Sequence, residues 1–214
     1  MVYLDQAATS FPKIDTVKQA VIEAMEVAGN ANRSANMDAS RLIFQARKNV
    51  ANFFQIPDFH RVILNSGNTE SLNTCIKGIL KEKDHVITTY AEHNSVLRPL
   101  YELEKKGFIS LTICSPYLED IKNQFQLNTR MVVMTHSSNV TGEIFDVQEI
   151  GHYCKEHGVL LMVDAAQSAG HIPVSIENID ILCFSGHKGL LGIGGIGGFC
   201  VKDIEVKPLI SGGT

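Results

Sequence analysis

What this chain lacks narrows the field first. It has no large excess of either charge: 19 Lys and Arg face 23 Asp and Glu, for a formal net charge of -4. No basic stripe stands out, which argues against nucleic acid as a partner. No uninterrupted apolar run approaches the length of a membrane span, so a membrane is not expected either. The opening Met-Val-Tyr-Leu-Asp-Gln has neither the basic nor the apolar region of a signal peptide. There is no internal repeat, low-complexity tract or obvious linker. The five cysteines, Cys75, Cys114, Cys154, Cys183 and Cys200, include no CxxC pair, and all but Cys114 lie in apolar helix or strand patterns. They are expected to be small buried hydrophobes in a reducing cytoplasm, with no metal site among them.

What is present is ordinary globular material. The chain has 214 residues, of which 44% are hydrophobic and 20% charged, enough for one large domain or two small ones. Helical spacing runs through Val17, Ala20, Val21, Ala24 and Met25, with Pro12 expected in the first turn. It recurs at Leu42, Ala46, Val50 and Phe53, with Asp38 as the expected cap, and at Leu72, Cys75, Ile76, Ile79 and Leu80. Further helices fit residues 96–103, 121–125 and 147–154, the last opened by Asp146 with Glu149 three residues on. Between them lie short apolar runs at 62–64, 85–88, 110–113, 131–135, 159–163, 181–184 and 196–201. Most are continuously apolar, as strands covered on both faces should be. Helices between strands imply right-handed crossovers and a three-layer αβα fold with a mostly parallel seven-stranded sheet. The last run follows a glycine-rich loop with no helix, so it is free to run antiparallel.

Five of these runs end in chemically active groups. Ser66, Gly67, Asn68 and Thr69 follow the first, and Glu92, His93 and Asn94 the second. His136, Ser137, Ser138 and Asn139 follow residues 131–135, Asp164 and Gln167 follow 159–163, and Ser185, His187 and Lys188 follow 181–184. The carboxyl edge of an open α/β sheet is where ligands bind. Polar loops cluster by chance once or twice, but five together point to a site.

Each residue also has a plainer reading. Ser66–Thr69 at a helix start suits a phosphate, with backbone N–H groups and the Thr69 hydroxyl as donors, yet alone it would be a capped turn. Asp164 ends a buried run and needs a partner for its charge. A protonated pyridine nitrogen is one such partner, and a helix cap is the plain alternative. Lys188 directly follows a buried strand, where a lysine can have a lowered pKa and attack a carbonyl, although most lysines are solvated. His93 could lie over an aromatic cofactor and move protons, or be a structural loop histidine. Gly192–Gly197 satisfies GxGxxG as a string, but an apolar run follows it instead of a helix, so dinucleotide binding is rejected.

Taken together the motifs resemble the class V aminotransferase family of fold-type I pyridoxal-phosphate (PLP) enzymes, and within it the cysteine desulfurase and selenocysteine lyase group. The resemblance spans the chain and rests most on Ser-Gly-Asn-Thr-Glu-Ser (66–71), Glu-His-Asn-Ser-Val-Leu-Arg-Pro (92–99), Val-Asp-Ala-Ala-Gln-Ser-Ala-Gly (163–170) and Ser-Gly-His-Lys-Gly (185–189). It implies that Lys188 forms the Schiff base with PLP and later moves the substrate's α-proton. It implies that Asp164 pairs with the pyridine nitrogen, Gln167 with the ring hydroxyl, and that His93 stacks on the ring. Asn139 would lie near the ring hydroxyl and the substrate, while Thr69, the Asn68 amide, Ser185 and His187 would hold the phosphate. Thr214 would reach the phosphate of a partner subunit, which makes the expected form a cytoplasmic homodimer.

The sequence also departs from the family pattern. Gln6 stands for a usual asparagine, Asn68 for a common alanine, and Asn36 for a frequent histidine, with the region from Arg33 to Asn36 expected to shape substrate choice. Residues 1–214 read as the cofactor-binding large domain with its N-terminal segment, and the smaller C-terminal domain of relatives, with its substrate-binding arginine and sulfur-accepting cysteine, is not expected within them. The expectation is therefore a PLP-dependent transferase or lyase of cysteine desulfurase type, acting on L-cysteine to give alanine and inactive alone, with a separate chain supplying the missing domain as one way to complete it. A non-catalytic PLP-binding or partner-binding remnant, or a class V aminotransferase or lyase for another amino acid, remains the alternative.

Overall fold

The computed structural model describes residues 2–30, 35 and 37–212. Seven strands, β1 (Val62–Asn65), β2 (Asp84–Thr89), β3 (Ile109–Cys114), β4 (Thr129–Thr135), β5 (Leu160–Asp164), β6 (Ile181–Ser185) and β7 (Gly197–Val201), form one sheet in the order β1-β7-β6-β5-β4-β2-β3. Every pairing is parallel except those of β7, which runs antiparallel to both β6 and β1. The six parallel strands therefore end at one edge, and β7 begins there, with Gly197 in register between Asn65 and Ser185.

The continuously apolar strands are buried on both faces. Along β4, Met131 and Val133 point to one side, with Leu72, Cys75 and Ile76 of α3 (Asn68–Ile79) and Val96 and Leu100 of α4 (Asn94–Lys105). Val132 and Met134 point to the other, with Ala51 of α2 (Asp38–Phe53), Ile121 of α5 (Leu118–Lys122) and Val147, Ile150 and Cys154 of α6 (Val147–Glu156). Two cores thus sandwich the sheet, which is the three-layer αβα arrangement expected. The Asp146 carboxylate accepts from the N–H groups of Gln148 and Glu149 and starts α6. α1 (Asp15–Met25) buries no residue within this chain.

Three local expectations are corrected. No helix links β5 to β6: residues 165–180 cross over as turns and extended chain. Pro173 has no N–H to give a helix, and Gly170 takes φ +86° with its Cα pressed on the backbone of Gly189. Pro12 precedes α1 by a short bend and lies outside its first turn. Met37 occupies the cap position of α2, so Asp38 falls inside the first turn, paired with Arg41 at 3.2 Å.

Candidate functional site

The carboxyl edge opens into a cleft of about 540 Å³. Asn68, Thr69, His93, Asn139, Asp164, Gln167, Ser185, His187 and Lys188 all line it, drawn from the ends of β1, β2, β4, β5 and β6. The topology thus gathers residues that lie up to 120 positions apart in the chain. Thr214, Arg33 and Asn36 lie outside the described residues.

One wall is the start of α3. Gly67, at φ +153°, adopts backbone conformation open to glycine. No side chain caps the helix there, so its first N–H groups face the cleft as anion donors with the positive end of the helix dipole behind them. The Glu70 carboxylate instead folds back onto the Ser66 N–H and hydroxyl, and those bonds hold its pKa below the ordinary value.

Asp164 forms the floor and is 3% exposed. Its Oδ1 accepts from the Ala166 N–H at 2.9 Å and from Asn68 Nδ2 at 2.8 Å. Burial pushes its pKa up, against the pull of those two bonds and of Lys188 and His93. Lys188 is half-buried, and the loss of water lowers its pKa, with Asp164 opposing. A lysine of that kind spends more of its time as the neutral nucleophile than a surface lysine does.

His93 ends the β2–α4 turn as the cap of α4: its Nδ1 accepts the Ser95 N–H at 3.2 Å, with Ser95 Oγ at 2.7 Å. Accepting at Nδ1 leaves the ring proton on Nε2. Gln167 Nε2 donates to the Ala7 carbonyl at 3.0 Å, Ser185 is buried, and Asn139 stands exposed at the mouth.

Two features escaped the reading of the sequence. The N-terminal segment closes over the Lys188 loop, where Thr9 Oγ1, the Ser10 N–H and hydroxyl, and Lys13 Nζ all donate to the His187 carbonyl at 2.9–3.1 Å. His187 Nδ1 also lies 2.9 Å from Thr9 Oγ1. Burial and the neighbouring Lys188 and Lys13 hold the His187 imidazole below its usual pKa. These partners are separated by some 178 positions, and only the Thr-Ser pair beside a lysine could have hinted at them. The second is the burial of Glu92, a residue already noted at its strand end, beneath the site, where loss of water raises its pKa to about 8. Its neighbour Asp164 adds to that rise. The Gly192–Gly197 string leads into β7 with no helix after it, as expected for a chance match.

The aminotransferase class-V family matches residues 2–214. A cysteine desulfurase IscS from Plasmodium falciparum is 34% identical over 99% of this chain and 42% of its own length. A probable cysteine desulfurase from Pyrococcus abyssi is 34% identical over the whole chain and 57% of its own length. Among solved structures, SspA in complex with cysteine superposes with a TM-score of 0.91 at 29% identity, over all of this chain and 65% of that one. The chain spans about half the length of the curated relatives it matches.

Proposed function

Because the chain belongs to the aminotransferase class-V family, whose members depend on PLP, we propose that residues 1–214 are the PLP-binding large domain of a cysteine desulfurase-type enzyme, with L-cysteine as substrate. The observation that carries this reading is the meeting, in one cleft, of a half-buried lysine, a buried aspartate and an uncapped helix start. The named relatives, cysteine desulfurases among them, support the choice of substrate.

The residues fit the cofactor. Asp164 presents a buried carboxylate whose Oδ1 takes both donors, so Oδ2 is the oxygen left for a protonated ring nitrogen. The first N–H groups of α3 and the hydroxyls of Thr69 and Ser185 suit a phosphate. When bound, PLP supplies a conjugated cationic ring that takes up the electron pair left by a broken bond at the substrate's α-carbon. Asp164 keeps the ring nitrogen protonated. Lys188 Nζ would hold the cofactor and then move the α-proton, a task suited to an amine whose pKa burial has lowered. His93 would stack on the ring, while Gln167 and Asn139 would serve the ring hydroxyl and the substrate.

The working form is a homodimer in a reducing cytoplasm, and a cysteine outside these five accepts the sulfur. Among the described residues no helix is long and apolar enough to cross a membrane. The test is an absorption spectrum with added PLP, then borohydride reduction and peptide mass mapping. A visible band bleached by borohydride, with the pyridoxyl mass on Lys188, is the expected result. No band, or label scattered over surface lysines, overturns the reading.

A further inference from the structure

The Asn68 side chain has no part in a phosphate cradle, which calls only on its backbone N–H. It turns inward instead. Asn68 Nδ2 donates to Asp164 Oδ1 at 2.8 Å, across a sequence separation of 96 residues. The Ala166 N–H donates to the same oxygen at 2.9 Å. Two donors thus converge on one carboxylate oxygen, and among the described residues none reaches the other. Asp164 lines the cleft, so the unshared oxygen is the one offered to a ligand.

The other end of the amide says which group sets this geometry. Asn68 Oδ1 is buried with no hydrogen-bond partner, a state that costs free energy. Flipping the amide would point Oδ1 at Asp164, where two acceptors would face each other over an ionised carboxylate. The amide keeps its orphaned oxygen because the carboxylate claims its N–H. That arrangement favours the charged form of Asp164, since a hydrogen bond to an ionised acceptor is about twice as strong as a neutral one.

We infer that Asn68 is a positioning residue for Asp164: its amide occupies one carboxylate oxygen and leaves the other turned to the cleft as an ionised acceptor for the protonated ring nitrogen of a bound heteroaromatic ligand. The ligand's identity as PLP rests on the function proposed above. The charged and titratable groups around Asp164 come from several elements. His93 and Lys188, from the loops after β2 and β6, favour its ionised form. Glu92, beside His93, and Cys183 on β6 are coupled to it with the opposite sign. Among the described residues, Asn68 adds the one neutral side-chain donor to Asp164, and it comes from α3. One residue therefore ties the anion-binding end of the cleft to its carboxylate floor.

The test uses the full chain, labelled with ¹³C at the aspartate carboxyl groups and free of cofactor, with Asp164→Asn to assign the signal. The Asp164 titration midpoint is compared in the wild type, Asn68→Ala and Asn68→Ser, so that one variant suffices if the other does not fold. An upward move of the midpoint is expected, together with a PLP dissociation constant raised by about tenfold, the order of one charge-assisted hydrogen bond. An unchanged midpoint in a folded variant, with Lys188 of the wild type labelled by reduced PLP, overturns the role of Asn68 and leaves the cofactor reading intact. A moved midpoint with Lys188 unlabelled does the reverse: the pairing stands and the assigned ligand falls.

Discussion

The Thr135 N–H donates to Glu92 Oε1 at 2.8 Å, and through that bond the end of β4 is tied to the turn that carries His93. The same oxygen accepts the Thr89 hydroxyl at 2.6 Å, while Oε2 is buried without a partner. A carboxyl group so enclosed is best kept neutral, with its proton on Oε2.

Stability should therefore fall as the pH rises. Glu92 has a pKa near 8 in the folded chain against about 4.5 for the ordinary group, so the folded state holds the proton more tightly than the unfolded one. The neutral form supports the fold fully below about pH 4.5, and that support is lost progressively up to about pH 8. At 1.36 kcal/mol per unit the loss is on the order of 4–5 kcal/mol at most. Glu92→Gln can keep both Oε1 bonds and cannot ionise. Urea melts from pH 5 to pH 9 should show its stability changing far less with pH, and exceeding the wild type at the alkaline end. Parallel slopes for the two proteins would remove Glu92 as the cause.

Lys188 should be dispensable for folding. Burial lowers its pKa, with Asp164 opposing, so the folded state binds this proton less tightly than the unfolded one. Such a group detracts from stability below its folded pKa, and the deficit disappears as the pH climbs to the ordinary lysine range. Lys188→Met should melt at or above the wild-type temperature at pH 7, yet show no PLP band and no pyridoxyl peptide. A variant that unfolds would mean that Lys188 holds the structure together.

Which of these relationships can be read in advance follows from the distance over which they act. The strands were legible because runs such as Met131–Thr135 are apolar throughout, a local property, and the site because each strand end carries its own polar group. The absence of a helix before β7 left its direction open, and it runs antiparallel. The clasp of Thr9 and Lys13 on the His187 carbonyl was not legible, since nothing local marks a carbonyl as the meeting point of four donors. The helix-free crossover after β5 was missed because it depends on Gly170 lying against Gly189. Glu92 stood in plain view beside His93, but its neutral state depends on burial by β4.

The five thiols should be inert in the folded chain. Burial raises Cys114 to about 11 and both Cys154 and Cys200 to about 12. Cys183 is also raised, and Cys75 is fully buried. At pH 8 the most accessible of the raised groups, Cys114, would be thiolate in about one molecule in a thousand. Ellman's reagent should find almost no thiol within minutes in buffer and all five in denaturant. Offered L-cysteine with PLP, the chain should carry no persulfide on any of them. A rapidly reacting thiol in the folded protein would reopen the question of where sulfur is accepted.

The sharpest contrast lies within the glycine run. A Cβ on Gly197 would stand 2.7 Å from the Gly67 Cα and 2.7 Å from the Phe184 carbonyl oxygen. Both obstacles are backbone, and neither can rotate away. One belongs to the turn that launches α3 and the other to β6, in register with β7, so the added methyl must push apart two strands at the edge where the cleft opens. A Cβ on Gly194, three residues earlier, would meet nothing within 4 Å. Gly197→Ala should cost roughly 1–3 kcal/mol, the range of overpacking against rigid neighbours. It should also weaken PLP binding, because Gly67 sets the position of the anion-binding helix start. Gly194→Ala should stay within about 0.5 kcal/mol of the wild type, as exposed substitutions do. Urea denaturation of the three proteins, with a PLP titration of each, decides the matter. Equal stabilities would mean that the approach of β7 to Gly67 is looser than this packing requires. A destabilised Gly197→Ala that still binds PLP as tightly as the wild type would separate the sheet edge from the helix start as the source of the cleft's shape.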